Sequence, residues 1–163
     1  MGIQQIVRAI IPDVGDSYGY SPKEILDQDR RILFLQRSPH SKFGRLEWCL
    51  PGGKNENPAE PPNIAVFRET GQETGISVYE LMNLGPHIID EDPNGNIDYV
   101  NHYFFVSNWG YFRDGTNVEL NGESVDFVWA NHEEVSELDI AFPSDRKLLE
   151  WLGYTVKGVN CEV

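Results

Sequence analysis

Cysteine is scarce in this sequence of 163 residues, which has only Cys49 and Cys161. Two isolated thiols form neither a disulfide framework nor the ligand spacing of a zinc site, so we expect a reducing compartment. Long apolar runs are also missing, because none approaches the roughly 20 residues that a membrane-spanning helix needs. The N-terminal stretch MGIQQIVRAII is too short and too weakly patterned for a signal peptide. These absences predict a soluble, cytoplasmic protein.

Basic residues are few as well, since 13 Lys and Arg stand against 26 Asp and Glu, for a formal net charge of −13. Such a charge repels nucleic-acid backbones and anionic membranes, so we expect neither a nucleic-acid polymer nor a membrane as a partner. A small anionic substrate is compatible with this charge if a bound cation lies between protein and substrate. Hydrophobic residues make up 40% of the chain, which is enough for one core and favours a single domain over residues 1–163.

Segments rich in Ile, Val, Leu and aromatic residues predict six strands. They are placed at residues 3–11, 31–36, 47–50, 78–90, 97–108 and 125–130. The fourth strand is interrupted around Pro86, and the turn DPNGN at 92–96 is predicted to join it to the fifth as a hairpin. Residues 12–30 mix Pro, Gly, Asp, Ser and Tyr, which is typical of a long surface loop, here with a short helical turn near 24–28.

Three helices are predicted between and after these strands. They are placed at 63–75 with Asn63 as N-cap, at 133–138, and at 144–152 with Ser144 as N-cap. In the first helix, Ile64, Phe67 and Gly71 recur at helical spacing and are predicted to form the buried side. Because strands and helices interleave, a mixed β-sheet flanked by helices is expected.

The most informative stretch is residues 52–76, GGKNENPAEPPNIAVFRETGQETGI, which predicts a turn, an acidic loop and then the first helix. Residues three and four apart share a helix face, so Glu69, Gln72 and Glu73 are predicted to project together. Two carboxylates and an amide oxygen form a hard-oxygen site of the kind that Mg²⁺ or Mn²⁺ prefers. The stretch therefore makes the chain a candidate enzyme.

The same stretch resembles the signature of the Nudix hydrolase family (MutT-like). That signature runs Gly, five residues, Glu, seven residues, then Arg-Glu-apolar-any-Glu-Glu-any-Gly-apolar. Here Glu60 is followed by seven residues and the run RETGQETGI at 68–76, and the lead-in WCLPGG at 48–53 also matches. With the surrounding strand order, the resemblance covers nearly the whole chain. It implies an α/β (α+β) fold, a Nudix-type α/β/α sandwich with a mixed β-sheet and a catalytic loop-helix-loop.

Three departures from the signature are visible. Six residues rather than five separate Gly53 from Glu60, and Thr70 replaces the usual aliphatic residue. Gln72 replaces the first glutamate of the Glu-Glu pair. An amide keeps an oxygen ligand but removes one negative charge, so we expect a lower metal affinity.

The resemblance implies hydrolysis of a pyrophosphate bond in a nucleoside diphosphate linked to another group, with Mg²⁺ as cofactor and Mn²⁺ as an alternative. It implies that Glu69, Glu73 and the main-chain carbonyl of Gly53 are metal ligands, with Gln72 as a further oxygen donor. A metal held in this way would neutralise charge on phosphate oxygens and lower the pKa of a bound water.

Arg68 is implied to hold the site in place by a salt bridge to Glu60, because its forked guanidinium fits such an orienting role. Gly52 belongs to the glycine pair of the motif. Gly75 lies where a helix C-terminal glycine belongs.

A general base is needed as well. The family often places a glutamate in the loop before the last sheet strand, several residues ahead of a tryptophan. Glu123 lies six residues before Trp129 and fits that description. Glu119, Glu91 and Asp92 from neighbouring loops are competing candidates, and a solvated loop carboxylate is the alternative interpretation of Glu123.

Four further residues are candidates for substrate binding. Arg37 closes the second strand, where the family commonly places a basic residue facing phosphate or base, and Lys54 is a candidate phosphate contact. Trp48 and Tyr103 are candidates for stacking on a nucleobase. The alternative interpretations are exposed cations and core aromatic residues. His102 is expected to be structural.

The leading hypothesis is a Mg²⁺-dependent Nudix-type pyrophosphohydrolase acting on a small-molecule nucleotide, with a homodimer as one option for its assembly. A Nudix-fold module that binds a nucleotide with weak or no catalysis is the rival, because Gln72 replaces a motif glutamate. A plain acidic interaction domain with an accidental motif is the third hypothesis. Turnover of a nucleotide panel distinguishes the first from the second.

Overall fold

The computed structural model describes residues 2–27, 29–92, 94–112 and 115–158, and the ranges contain seven strands and four helices. In chain order they are β1 Gly2–Ile10, α1 Pro22–Leu26, β2 Ile32–Arg37, β3 Trp48–Cys49, β4 Gly52–Asn55, α2 Pro62–Thr74, β5 Ile76–Glu91, β6 Ile97–Tyr111, β7 Ser124–Ala130, α3 His132–Val135 and α4 Pro143–Trp151. All six predicted strands are present, and β4 is additional.

The strands form two sheets. Four strands lie in the order β4-β1-β6-β5, with β1 parallel to β6 and the other two pairs antiparallel. The other three lie in the order β3-β2-β7 and are antiparallel. The predicted hairpin between β5 and β6 is confirmed, although Pro93 in its turn lies outside the described residues.

Helices cover the central strand β6 from both sides. Phe105 packs in an apolar cluster with Leu148 of α4, whereas Phe104 packs in a second cluster with Val66 of α2. Adjacent residues of a strand point to opposite faces, so α4 and α2 lie on opposite sides of β6. The fold class, a mixed sheet between helices, is confirmed.

The glycine-rich start of the motif forms a strand rather than the predicted turn and loop. β4 pairs antiparallel with β1, and Gly53 lies opposite Val7. A side chain at Gly52 would collide with the main chain of Val7, so the close approach of the two strands requires glycine there. This pairing attaches the motif to the sheet.

Two predicted N-caps are wrong. α2 begins at Pro62 with Pro61 as N-cap, and Asn63 lies inside the first turn. α4 begins at Pro143 with Phe142 as N-cap, and the hydroxyl of Ser144 donates to Asp90 Oδ2 at 2.6 Å. In both helices a proline occupies the first helical position, where its missing N–H costs nothing, and this shifts each start by one residue.

The predicted buried side of α2 is also wrong. The buried residues are Ala65, Val66, Thr70 and Thr74. Ile64 is 48% exposed, Gly71 is exposed and Phe67 is only partly buried. Small side chains at 66, 70 and 74 follow a four-residue spacing and allow the helix to lie close to β1 and β5. Gly75 ends the helix in the left-handed conformation, with φ 72°, as predicted.

The segment 12–30 contains more order than predicted. Ser21 and Glu24 form a reciprocal capping box that starts α1 at Pro22, two residues before the predicted helical turn, and Gln28 lies outside the described residues. Ser17 N–H donates to the carbonyl of Ser107 at 2.8 Å, which ties the segment to β6.

α3 ends at Val135, three residues before the predicted end.

None of the helices in the described ranges has the length and apolar content that crossing a bilayer requires.

Candidate functional site

The first strand of the motif and its helix bring two carboxylates to two glycines. A Cβ atom built on Gly53 would lie 2.6 Å from Glu69 Oε2, so the carboxylate occupies the space that any side chain at position 53 would need. Gly52 N–H donates to Glu73 Oε2 at 3.4 Å. Glu69 and Glu73, one helical turn apart, therefore lie over the start of β4.

Arg68 forms ion pairs with Glu60 and Glu69 and so fixes the position of the Glu69 carboxylate. Arg68 donates from Nε and Nη2 to the two carboxylate oxygens of Glu60, at 3.1 and 2.9 Å, and from Nη1 to Glu69 Oε1 at 2.9 Å. The predicted ion pair between Arg68 and Glu60 is present, and its extension to Glu69 is an additional finding. Hydrogen bonds from Arg68 lower the pKa of Glu60.

The second carboxylate lies in a less polar environment. Burial raises the pKa of Glu73 to about 8, the positive charge of Arg8 opposes this shift, and the negative charge of Glu69 adds to it. Two carboxylates that repel one another in a partly buried site are an arrangement that a divalent cation would relieve. Among the described residues, no group of three or more His, Cys, Asp or Glu side chains is placed to hold a metal.

Gln72 has different surroundings from its two neighbours. It is exposed and lines an open depression of about 430 Å³ that also contains Phe67, Arg68 and Phe112. Glu69 and Glu73, in contrast, contact β4. The three side chains that were predicted to project together are thus divided between two surfaces.

A buried charged cluster lies beside Glu73, and the sequence interpretation missed it. Arg8 of β1 is only 6% exposed, and its Nε is 3.8 Å from Oδ1 of the fully buried Asp145. Asp145 accepts hydrogen bonds from the Tyr103 hydroxyl at 2.6 Å and from Leu50 N–H at 3.1 Å. A signal existed, since an arginine stands inside the apolar run IVRAI of β1.

This cluster corrects one prediction. Tyr103 is 1% exposed and its hydroxyl is used by Asp145, so the ring is not available for stacking on a nucleobase. By alternation along β6, the neighbouring His102 lies on the opposite face, where it contacts the Gln5 side chain and packs edge-on against His87 with 4.3 Å between ring centroids. These contacts support the structural role expected for His102.

The other substrate-binding candidates lie in three different environments. Arg37 donates from Nε to the carbonyl of Phe43 at 2.9 Å, and its guanidinium lies 4.8 Å from the centroid of the Phe142 ring. Trp48 is partly buried and packs against the core cluster that contains α4. Lys54 is exposed on β4.

The candidate bases lie in three different parts of the structure. Glu123 is exposed just before β7 and accepts a hydrogen bond from Asn121 Nδ2 at 3.0 Å, and after burial its negative charge is one of the causes that raise the pKa of Glu73. Glu119 lies against the end of α2, where its N–H donates to the carbonyl of Thr74 at 2.8 Å. Glu91 and Asp92 lie at the turn between β5 and β6.

Cys49 is buried, and burial raises the pKa of its thiol to about 11, so it packs as a small hydrophobe rather than as a reactive thiolate. Cys161 lies outside the described residues.

Comparison with known proteins gives one family and a set of similar folds. A family model described as NUDIX domain matches residues 25–152. The fold is similar to a MutT NUDIX hydrolase from Burkholderia pseudomallei, with a TM-score of 0.67 and 19% identity over 91% of this chain and 96% of that one. A MutT protein from Methanosarcina mazei Go1 gives a TM-score of 0.65 and 24% identity over 92% of each chain.

A further similar structure contains a ligand. The NUDIX domain of Shewanella oneidensis NrtR, complexed with ADP ribose, has a TM-score of 0.62 and 20% identity over 90% of this chain and 83% of that one. At these identities the structural likeness supports the fold. No curated protein matches the chain.

Proposed function

Because the chain belongs to the Nudix family and is a pyrophosphohydrolase of that type, we propose that it uses Mg²⁺ to hydrolyse a small nucleotide. The bond cleaved is a pyrophosphate bond in a nucleoside diphosphate linked to another group, such as a nucleoside triphosphate or a nucleotide sugar. The observation that supports this proposal is the pair of carboxylates, Glu69 and Glu73, that lies over the glycines of β4 and is braced by Arg68.

The donor atoms at this site fit a hard divalent cation. Glu69, Glu73 and the main-chain carbonyl of Gly53 would supply oxygen ligands, which Mg²⁺ and Mn²⁺ prefer over nitrogen and sulfur. When bound, the cation would neutralise phosphate charge and make an attacking water more acidic. The glycine at position 53 leaves the space in which the Glu69 carboxylate lies.

The remaining residues have supporting roles in the proposal. Arg68 orients Glu69 through the hydrogen bond from its Nη1. Glu123 takes the proton from the attacking water, because its carboxylate is solvent-exposed and is near enough to influence Glu73. Lys54, exposed on the same strand as Gly53, and Arg37 at the end of β2 are the cations proposed to contact substrate phosphates.

The substrate is proposed to be a small nucleotide in the cytoplasm. The Shewanella domain of similar fold holds ADP ribose, which is itself a nucleoside diphosphate linked to another group. The net charge of −13 opposes binding of a polyanionic polymer at long range. A single domain over residues 1–163 is part of the same proposal.

Turnover of a nucleotide panel tests the proposal. The protein is incubated with Mg²⁺ or Mn²⁺ and nucleoside triphosphates, nucleotide sugars or dinucleoside polyphosphates, and release of phosphate, pyrophosphate or nucleoside monophosphate is measured. We expect metal-dependent turnover that falls at least about a hundredfold in Glu73→Gln, because a ligand charge is lost. Saturable nucleotide binding without turnover of any compound would contradict the enzyme.

Nucleotide binding with weak or no turnover is the second candidate, and Gln72 favours it. The amide removes one negative charge from the helix turn that contains Glu73; although Gln72 faces a different surface, the lost charge weakens the long-range attraction for a divalent cation. Restoring the charge in Gln72→Glu should lower the Mg²⁺ concentration that gives half-maximal activity. If Gln72→Glu and the unchanged protein need the same Mg²⁺ concentration, the charge lost at position 72 is not a cause of weak turnover.

A further inference from the structure

Asn55 ends β4 and is an unusual residue for its position. It is only 7% exposed, while the next four residues of the chain, 56–59, are exposed. Its Oδ1 is buried and has no hydrogen-bond partner among the described residues. Burying an unsatisfied amide oxygen costs stability, and an aliphatic side chain would avoid that cost. Stability alone therefore does not explain an asparagine here.

The other end of the same side chain spans the loop that precedes α2. Asn55 Nδ2 donates to the main-chain carbonyl of Glu60 at 2.8 Å, across the exposed arch of residues 56–59. Two further hydrogen bonds lie at the arch itself: Glu60 N–H donates to the Asn57 carbonyl at 3.0 Å, and Ala59 N–H donates to Asn57 Oδ1 at 3.0 Å. Of these contacts, only the one from Asn55 joins the arch to a sheet strand.

Glu60 is the first member of a chain of contacts that ends at the carboxylates. Both of its carboxylate oxygens accept hydrogen bonds from Arg68, and Arg68 Nη1 donates to Glu69 Oε1. Glu69 Oε2, the other oxygen, lies against Gly53. A shift in the main chain of Glu60 would therefore move Arg68 and, through it, the carboxylate of Glu69.

We propose that Asn55 is a positioning residue that sets the carboxylate of Glu69 for metal binding through Glu60 and Arg68. The need arises from the length of the arch, because six residues separate Gly53 from Glu60 and one more residue than the signature contains leaves Glu60 less constrained. This inference rests on the metal role proposed for Glu69.

The test compares stability with metal affinity in Asn55→Leu and Asn55→Asp, using the full chain. Mn²⁺ binding is measured by electron paramagnetic resonance of the free ion, and Tm is measured in the absence of metal. Leucine removes both the unsatisfied oxygen and the link to Glu60, so Tm should stay equal or rise. The Mn²⁺ affinity should fall about threefold to tenfold, below the roughly 10- to 100-fold typical for direct partners of metal ligands.

Asn55→Asp keeps the shape of the side chain but replaces the donor with an oxygen, so the Mn²⁺ affinity should still fall, by less than in Asn55→Leu because the added carboxylate attracts the cation. The matched control is Asn57→Ala, which removes an asparagine from the same arch that does not contact Glu60 with its side chain. It should leave the Mn²⁺ affinity unchanged. Should Asn55→Asp fail to fold, Asn55→Leu alone decides the matter.

A double substitution separates positioning from a general loss of structure. Arg68→Met interrupts the contacts between Glu60 and Glu69, so adding Asn55→Leu should cause no further loss of Mn²⁺ affinity. Additive losses, or an unchanged affinity in Asn55→Leu, would overturn the inference. Metal binding is measured without turnover, so a failure of the proposed hydrolysis is seen separately in the nucleotide panel.

Discussion

At the scale of single residues, the site depends on the missing side chain of Gly53. A Cβ atom at position 53 would lie only 2.6 Å from Glu69 Oε2, which is too close for the carboxylate to stay where it is. Glycine is needed there for space, since φ at position 53 does not lie in the left-handed region.

Gly53→Ala is therefore expected to weaken Mn²⁺ binding about tenfold or more, because the Glu69 carboxylate must move away from the position that Arg68 gives it. Calorimetric titration with Mn²⁺ measures the change. Gly2→Ala is a suitable control, because a Cβ at Gly2 would meet nothing within 4 Å. Equal Mn²⁺ affinities in Gly53→Ala and the unchanged protein would show that Glu69 does not depend on this space.

At the scale of elements, α2 contains two buried threonines with opposite hydrogen bonding. Thr74 Oγ1 donates to the carbonyl of Thr70 at 2.5 Å and accepts from Ile76 N–H at 3.1 Å. Thr70 Oγ1 is buried and has no partner among the described residues. Thr70 occupies the position where the family signature has an aliphatic residue, and its burial explains why an aliphatic residue is usual there.

We expect the same substitution, threonine to valine, to have opposite effects on stability at positions 70 and 74. Thr70→Val removes an unsatisfied hydroxyl at nearly constant volume and should raise the free energy of unfolding by about 1 kcal/mol. Thr74→Val removes two hydrogen bonds and should lower it by about 1–2 kcal/mol. Urea unfolding monitored by circular dichroism measures both. A loss of stability in Thr70→Val would mean that its hydroxyl contributes to the fold.

Elements also mark how far sequence patterns predict this fold. Apolar runs predict six strands. The motif at residues 52–76 predicts α2 and the family to which the chain belongs. β4 was missed because Gly-Gly-Lys-Asn has a poor strand propensity, and only its pairing with β1 makes it a strand. The N-caps and the buried side of α2 were wrong because neighbouring strands and proline positions, rather than helical periodicity alone, decide them.

At the scale of the whole molecule, one buried cluster joins three parts of the chain that are far apart in sequence. Arg8 comes from β1, Tyr103 from β6 and Asp145 from α4, and Asp145 also holds Leu50 N–H just before the motif. Arg8 inside an apolar run indicates a buried charge, but periodicity within one segment carries no information on contacts between distant segments, so its partners Tyr103 and Asp145 could not be predicted. It connects α4 with β1, the strand that pairs with β4.

The cluster predicts a large cost when its charge balance is broken. Arg8→Met leaves Asp145 buried without a cation and should lower the free energy of unfolding by about 3–5 kcal/mol. Tyr103→Phe removes one hydrogen bond to the charged Asp145 and should cost about 1.5–3 kcal/mol. Combining Arg8→Met with Asp145→Leu removes both charges, so the double variant should be more stable than Arg8→Met alone. Urea unfolding of the unchanged protein, the two single variants and the double variant measures these free energies. A double variant less stable than Arg8→Met would show that Asp145 stabilises the fold without Arg8, through Tyr103 and Leu50.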